Sequence, residues 1–397
     1  MLRSHLSSLA WIHLCLAATA CLGGPGRSGG DAAPGDPGKP GDPGVADARP
    51  GDPGSPDAGD APGDPQVTCT DMTAPTGIAS VIQCMRAGMD GKTGAPAPLV
   101  VALHGYTQTA EEYKDTTQWD RLAARYGFYV VFPQTNDDLV NAGGLPAAWK
   151  WWRDYSPWTR NSFNQHFSAI LAVVDAMKSE HDIDAERVFI TGLSAGGYMT
   201  TLMLAAYPDL FAAGASFSGG PADCDLQCTD SDKVQDWTRP VGYQPPTASD
   251  VINAYPDYWN DPTTRKPRLM LFHGSADEAV KPINLSDAMK QWTAVLGIDQ
   301  TPDNATLGEP ATLGGYDYRA YAYQGRVGVA TVLMTGLGHG TPVDPGPGAD
   351  QGGVDPIPSQ TAADCGNVSD PGCEQDWTNT GTIYGPYQAA RFFGLAP

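Results

Sequence analysis

The sequence predicts an α/β domain, a doubly wound and mostly parallel sheet, preceded by a disordered Gly/Asp/Pro-rich tether. Three observations carry that prediction. Apolar runs of strand length recur through residues 66–397, each closed by Gly or a turn residue. They are nearly continuous rather than alternating, the pattern of strands buried on both faces and therefore parallel. Between them lie segments with helical spacing, so strand and helix alternate as in βαβ units.

The elements follow in order. The apolar runs fall at residues 99–103, 128–132, 188–191, 214–218, 269–272 and 329–334. Helical spacing covers residues 110–126, 163–180, 196–206, 284–296 and 385–393. Within 163–180, Phe167, Ile170, Leu171, Val174 and Met177 share one stripe. Residues 66–397 suffice for one large domain of this class. Ligands of such sheets bind at the carboxyl ends of the strands, so the residues just after each run are the ones to inspect.

The segment before the domain has other work. Residues 1–20 read as an export signal: Arg3 is the positive start, an apolar core follows, and Ala18-Thr19-Ala20 offers the small-residue cleavage site. Cys21 comes next and is a candidate lipid attachment, which would make the chain an extracellular or outer-surface lipoprotein of a bacterium. Cleavage without lipid is the alternative. Residues 22–65 hold 23 Gly or Pro among 44, with recurring Gly-Asp-Pro units such as Gly35-Asp36-Pro37 and Gly63-Asp64-Pro65. The Gly-every-third register of a collagen helix fails at Asp47 and Asp57. Residues 21–65 are therefore expected to be an extended, self-repelling linker with no core.

Charge and cysteine usage narrow the partners. The chain carries 45 acidic and 24 basic residues, a net charge of −21. That excludes a nucleic-acid partner, which needs a basic face. No apolar stretch after the N-terminus is long enough for a membrane bundle, so membrane attachment is expected through a lipidated Cys21 alone. Six cysteines remain after the signal and Cys21: Cys69, Cys84, Cys224, Cys228, Cys365 and Cys373. In an exported chain they read as disulfides, with sequence proximity favouring 69–84, 224–228 and 365–373. Cys224-x3-Cys228 lacks a second pair at ligand spacing, so no metal is expected.

The strand ends hold the chemistry. Residues 188–191 are followed by Gly192-Leu193-Ser194-Ala195-Gly196-Gly197, a G-x-S-x-G motif between strand and helix. Such a turn lifts the serine hydroxyl above the sheet and sets it at a helix N-terminus, where free N–H groups favour a developing oxyanion. A serine nucleophile needs a base and an orienting carboxylate, in chain order Ser, acid, His. Asp277 follows the strand 269–272, with Glu278 beside it as the rival acid, and His339 lies in the glycine-rich loop after 329–334. His104 and His273 directly end strands and read as turn-shaping residues. His166 and His181 read as surface or groove residues. The backbone N–H groups of Tyr106 and Ala195 are the expected oxyanion donors.

Leu103-His104-Gly105-Tyr106-Thr107-Gln108, GLSAGGYMT at 192–200, GHGTPVDPG at 338–346 and YQAARFFGL at 387–395 together resemble the poly(3-hydroxybutyrate) depolymerase family of esterases, relatives of feruloyl and acetylxylan esterases. The resemblance spans roughly residues 80–395. It implies an α/β-hydrolase fold, a Ser194–Asp277–His339 triad, no metal and no organic cofactor. Secreted members often carry Cys after the His-Gly of the first motif, where this chain has Tyr106. Polymer-degrading members usually add a substrate-binding domain, and no such module is expected outside residues 66–397.

Trp149, Trp151, Trp152 and Trp158 cluster where the family carries an aromatic-rich segment. Trp149 and Trp151 are the candidate substrate contacts, with core packing as the alternative. The implied activity is hydrolysis of carboxylic esters, with polyhydroxybutyrate-type polyester or its oligomers ahead of feruloyl or acetyl esters on plant polysaccharide. A non-catalytic carbohydrate-binding protein on the same fold is the alternative of another class, and a peptidase a third; three filled triad positions count against the former.

Overall fold

The computed structural model describes residues 65–89, 94–135, 148–152, 165–233, 237–344, 346, 348, 350–352 and 378–397. The signal, Cys21, the tether up to residue 64, Trp158, Cys365 and Cys373 lie outside the described residues.

Ten strands form the main sheet: β1 (Val67–Met72), β2 (Ile78–Arg86), β3 (Ala97–Leu103), β4 (Tyr129–Thr135), β5 (Ile183–Leu193), β6 (Ala213–Phe217), β7 (Arg268–Gly274), β8 (Thr312–Leu313), β9 (Tyr316–Tyr323) and β10 (Arg326–Met334). Their order is β1-β2-β4-β3-β5-β6-β7-β10-β9-β8. The six central strands, β4 to β10 in that order, pair in parallel. The edges are antiparallel. A short parallel pair, β11 (Thr341–Val343) with β12 (Thr378–Thr380), stands apart. The helices are α1 (Ala110–Thr117), α2 (Trp119–Tyr126), α3 (Gln165–Glu180), α4 (Ala195–Ala206), α5 (Ala248–Ala254), α6 (Pro256–Trp259), α7 (Ile283–Leu296), α8 (Asn304–Leu307) and α9 (Gly385–Phe393).

The continuous apolar runs are explained by helices on both faces. Leu99, Val101 and Leu103 of β3 pack in one core with Phe167, Ile170 and Val174 of α3, Tyr198 and Leu202 of α4, and Trp292 of α7. Val100 and Ala102 point the other way, into a second core with Tyr113, Trp119 and Leu122 of α1 and α2 and with Ala389 and Phe393 of α9. Period-two alternation thus splits one apolar strand between two cores. Among the described residues, no helix is long and apolar enough to cross a membrane.

Two departures from the sequence reading have local causes. The helix expected over 110–126 breaks at Gln118, whose φ of 53° is left-handed. The break turns Trp119 fully into the core, and the Tyr384 hydroxyl donates to the carbonyls of Thr117 (2.6 Å) and Gln118 (3.0 Å) at the junction. The antiparallel strands β1, β2, β8 and β9 lack a long continuous apolar run; the edge strand β1 is mostly exposed. Cys69 and Cys84 sit directly opposite in the β1–β2 register and are disulfide-bonded. Cys224 and Cys228 are bonded around the turn after β6, where Asp225 caps the Cys228 N–H.

Candidate active site

Ser194 stands between the last residue of β5 and the first of α4, with φ 56° and ψ −114°. A non-glycine residue held there costs on the order of 1–3 kcal/mol and persists only where the surroundings enforce it. The surroundings are glycines in contact with backbone. A Cβ on Gly196 would stand 2.3 Å from the Leu103 carbonyl oxygen and 2.7 Å from that of His104. One on Gly192 would meet the Gly196 carbonyl carbon at 2.5 Å. The Ser194 N–H donates to the Phe217 carbonyl at 2.9 Å, continuing the β5–β6 ladder, and its own carbonyl accepts from the Tyr198 N–H in the first turn of α4. Ala195, as the first helical residue, presents an N–H with no acceptor inside the helix.

The loop after β3 lies against this turn. The Cβ direction of Gly105 ends 3.6 Å from Ser194 Cβ. The peptides on both sides of Gly105 are held. Gln108 Oε1 accepts the Gly105 N–H at 2.8 Å, and the Gly105 carbonyl accepts from His104 Nδ1 at 2.8 Å and from the Gln108 N–H at 3.3 Å. The Gly105–Tyr106 peptide is trans, so the Tyr106 N–H points opposite to that carbonyl, away from the buried imidazole.

His104 is fully buried, its Nε2 accepts the Thr135 N–H at 3.4 Å, and its ring lies 5.5 Å from that of Trp149. Burial first, then the neighbouring charge of His166, lowers its pKa from 6.5 to about 4, against the opposing bond to Gly105. The unfolded chain therefore takes up this proton near 6.5 and the folded chain only near 4. Stability from this group is complete above 6.5 and is lost as pH falls to about 4, by about 3 kcal/mol. Urea unfolding at pH 7 and pH 4 checks this. His104→Gln, which cannot titrate, is expected to lose less stability across that window than the native chain by about that amount; equal losses in both would refute it.

The candidate acid and the candidate base, Asp277 and His339, meet because their loops interlock. Gly274, at the end of β7, has no room for a Cβ, which would stand 2.2 Å from the Gly338 carbonyl oxygen. The Ala276 N–H donates to the Leu337 carbonyl, and the Gly336 N–H to Ser275 Oγ, both at 2.9 Å. Held this way, His339 Nδ1 lies 2.8 Å from Asp277 Oδ2. Asp277 Oδ1 accepts the N–H groups of Ala279 (3.0 Å) and Val280 (2.8 Å). Burial opposes ionisation of this carboxyl. The charge of His339 and the hydrogen bonds from His273 and His339 outweigh burial and hold it well below the usual carboxylate range. The rival Glu278 is exposed and pairs with Lys233 at 2.6 Å. Gly340 ties the loop back toward β6, its N–H 3.4 Å from Ser218 Oγ.

His273 itself is 1 % exposed, with Nε2 2.8 Å from the Val280 carbonyl and 3.3 Å from Asp277 Oδ2. The sequence reading left it as a turn residue. Its place four residues before an acid at a strand end was the available signal. His166 and His181, read as surface or groove residues, are both buried. His166 Nδ1 accepts the Lys150 N–H at 2.8 Å, and His181 Nε2 meets Gln83 Oε1 at 2.8 Å.

Trp149 and Trp151, the candidate substrate contacts, are both buried. Trp149 is fully buried between His104 and His166. Trp151 is 5 % exposed and stacks at 3.9 Å on Tyr198, four residues past Ser194. Both indoles pack against aromatic side chains. Tyr106 is partly exposed at the surface. Cys69, Cys84 and Asp120 lie within ligating distance of one another, but both sulfurs are tied in the disulfide and offer no thiolate to a metal.

A family model described as Esterase PHB depolymerase matches residues 90–299. This chain belongs to that family. Poly(3-hydroxyalkanoate) depolymerase C of Paucimonas lemoignei is 39% identical over 261 residues, which is 66% of this chain and 59% of that protein. The chain thus spans less than two thirds of that relative's length. Feruloyl esterase B of Neurospora crassa is 32% identical over 212 residues, 52% of this chain and 68% of that protein. Among solved structures, the acetyl xylan esterase from Aspergillus awamori superposes with a TM-score of 0.51 at 23% identity, covering 68% of this chain and 94% of that one. That likeness concerns the fold, which is the α/β-hydrolase fold.

Proposed function

We propose that the chain is a serine esterase in which Ser194 is the nucleophile, His339 the general base and Asp277 its orienting acid. The observation that carries this reading is the 2.8 Å bond from His339 Nδ1 to Asp277 Oδ2, made at the strand ends that also carry the strained Ser194 turn. The carboxylate fixes the imidazole with its proton on Nδ1, which leaves Nε2 to take the proton of Ser194 Oγ as that oxygen attacks the ester carbonyl. The Tyr106 and Ala195 N–H groups stabilise the oxyanion, each such donor typically worth about 10²–10³-fold in rate. Collapse expels the alcohol, protonated by His339, and water attacks the acyl-enzyme with His339 again as base.

The substrate is a polyhydroxyalkanoate-type polyester or its oligomers. The support is the higher identity and longer coverage of the match to the depolymerase than of the match to the feruloyl esterase. The second reading is a feruloyl or acetylxylan esterase, favoured by the latter relative. Residues 66–397 are the catalytic domain, residues 1–20 an export signal and residues 21–65 a spacer, with Cys21 as the lipid site of a surface-anchored form. One panel decides between the substrates: the purified domain on short nitrophenyl esters, methyl ferulate, acetylated xylan and amorphous polyhydroxybutyrate. The proposal expects release of hydroxybutyrate products from the polyester. Cleavage of ferulate or xylan esters with no polyester product would replace it by the second reading.

A further inference from the structure

Asp277 is held by two imidazoles, and the esterase mechanism uses one of them. The other, His273, belongs to the last turn of backbone in β7, so it is anchored in the sheet rather than in a loop. Its Nε2 carries a proton, because the Val280 carbonyl 2.8 Å away can only accept. The same N–H also reaches Asp277 Oδ2 at 3.3 Å. Val280 in turn gives its own N–H to Asp277 Oδ1 at 2.8 Å. A closed circuit results: the carboxylate, the Val280 peptide and the His273 ring each fix the other two. Four donors converge on Asp277, two backbone N–H groups on Oδ1 and two imidazoles on Oδ2.

The geometry points to His273 as a positioning residue for the carboxylate. It sets the plane of the Asp277 carboxylate so that the Oδ2 lone pair left over is aimed at His339 Nδ1, and it keeps the 277–280 turn from swinging away when His339 becomes charged. His273 touches neither the serine nor the substrate in this role; it acts through Asp277. The assignment rests on the esterase reading of Ser194, Asp277 and His339. A buried donor lost at such a place costs in two ways. The carboxylate gains a rotation it did not have, and misplacement of a catalytic group by about 1 Å can cost on the order of 10²-fold in rate. Oδ2 also keeps more charge for His339 alone, which favours the imidazolium.

The test uses the full chain and a soluble nitrophenyl ester. His273→Leu is expected to lower kcat by roughly tenfold to 10²-fold with KM within about twofold, since no substrate contact is lost. The acidic limb of kcat/KM should move to higher pH. His273→Gln, whose side-chain amide can stand where Nε2 stands, should restore most of kcat and the position of the limb; a residue that merely fills space would show no such rescue. Should His273→Leu not accumulate as folded protein, Gln against Asn carries the comparison. The shorter Asn amide cannot reach Asp277, so Gln near native and Asn well below it supports the role, and equal rates overturn it. Native kcat and an unmoved limb in His273→Leu, with Ser194→Ala and Asp277→Asn inactive, overturns the role of His273 and leaves the esterase reading intact. Activity surviving in Ser194→Ala and Asp277→Asn would instead overturn the esterase reading, and this inference with it.

Discussion

Ser194→Ala turns over a short soluble ester at least about 10³-fold more slowly than the native chain, and up to about 10⁶-fold, because nucleophile and base act as a unit. The loss appears in kcat, since the hydroxyl contributes to the reacting centre and little to binding. The motive is the residue's backbone: φ 56° in a non-glycine residue is strain that the close packing of Gly192 and Gly196 maintains. A companion variant separates strain from chemistry. Ser194→Gly removes both the hydroxyl and the left-handed penalty, so it should be equally inactive yet more stable by about 1 kcal/mol or more. Steady-state kinetics and denaturant unfolding on the three proteins read both effects. A folded Ser194→Ala that keeps its activity would remove Ser194 from the mechanism.

Gly196→Ala should be nearly as damaging, by a different route. The new methyl carbon meets two backbone oxygens, of Leu103 and His104, at 2.3 and 2.7 Å, and neither can swing aside as a side chain would. Helix α4 must retreat from β3, carrying Ser194 away from the His104–Gln108 loop. Overpacking of this kind costs about 1–3 kcal/mol or more in stability, and the displaced serine loses on the order of 10²-fold in rate. Gly94→Ala is the matching control: nothing lies within 4 Å of its Cβ position and its φ is not positive, so both quantities should hold. A Gly196→Ala protein with native melting temperature and native kcat would mean that the close packing of elbow and β3 is not needed.

What was legible in the sequence follows from how local each cause is. The six central strands could be read because helices cover both faces, which forces an uninterrupted apolar run visible in any short window. The elbow could be read because glycines on either side of a serine answer a contact within a few residues and one neighbouring strand. The edge strands could not. Val67–Met72 is exposed along most of its length and becomes a strand through its pairing with Ile78–Arg86, a relation that lies outside any one window. The histidines divide the same way. His339 stands out as candidate base from order along the chain, whereas the burial of His166 and His181 depends on Lys150, Thr135 and Gln83, partners up to 98 positions away. His273 was passed over because its ring meets Asp277 only after the 277–280 turn closes. The tryptophans show the limit of composition: the cluster singles out Trp149 and Trp151, but a tilted contact with His104 and stacking on Tyr198 bury both, through partners far off in the chain.

Strand β6 has a consequence for how such a site can change. It runs between β5, which delivers Ser194, and β7, which delivers Asp277, and hydrogen-bonds to both. The span from Ser194 to Asp277 is therefore metered by main chain, two inter-strand steps of about 4.8 Å each. Side chains cannot alter it. Nor can they intrude on the ground between: after β6 come Gly219 and Gly220, where a Cβ would strike Ser216 Oγ at 2.4 Å and the Tyr198 ring at 2.3 Å. The sheet thus acts as a fixed gauge under Ser194 and Asp277. Adaptation to a bulkier acyl or alcohol group is left to the rim, through loops that can lengthen or tilt without disturbing the gauge.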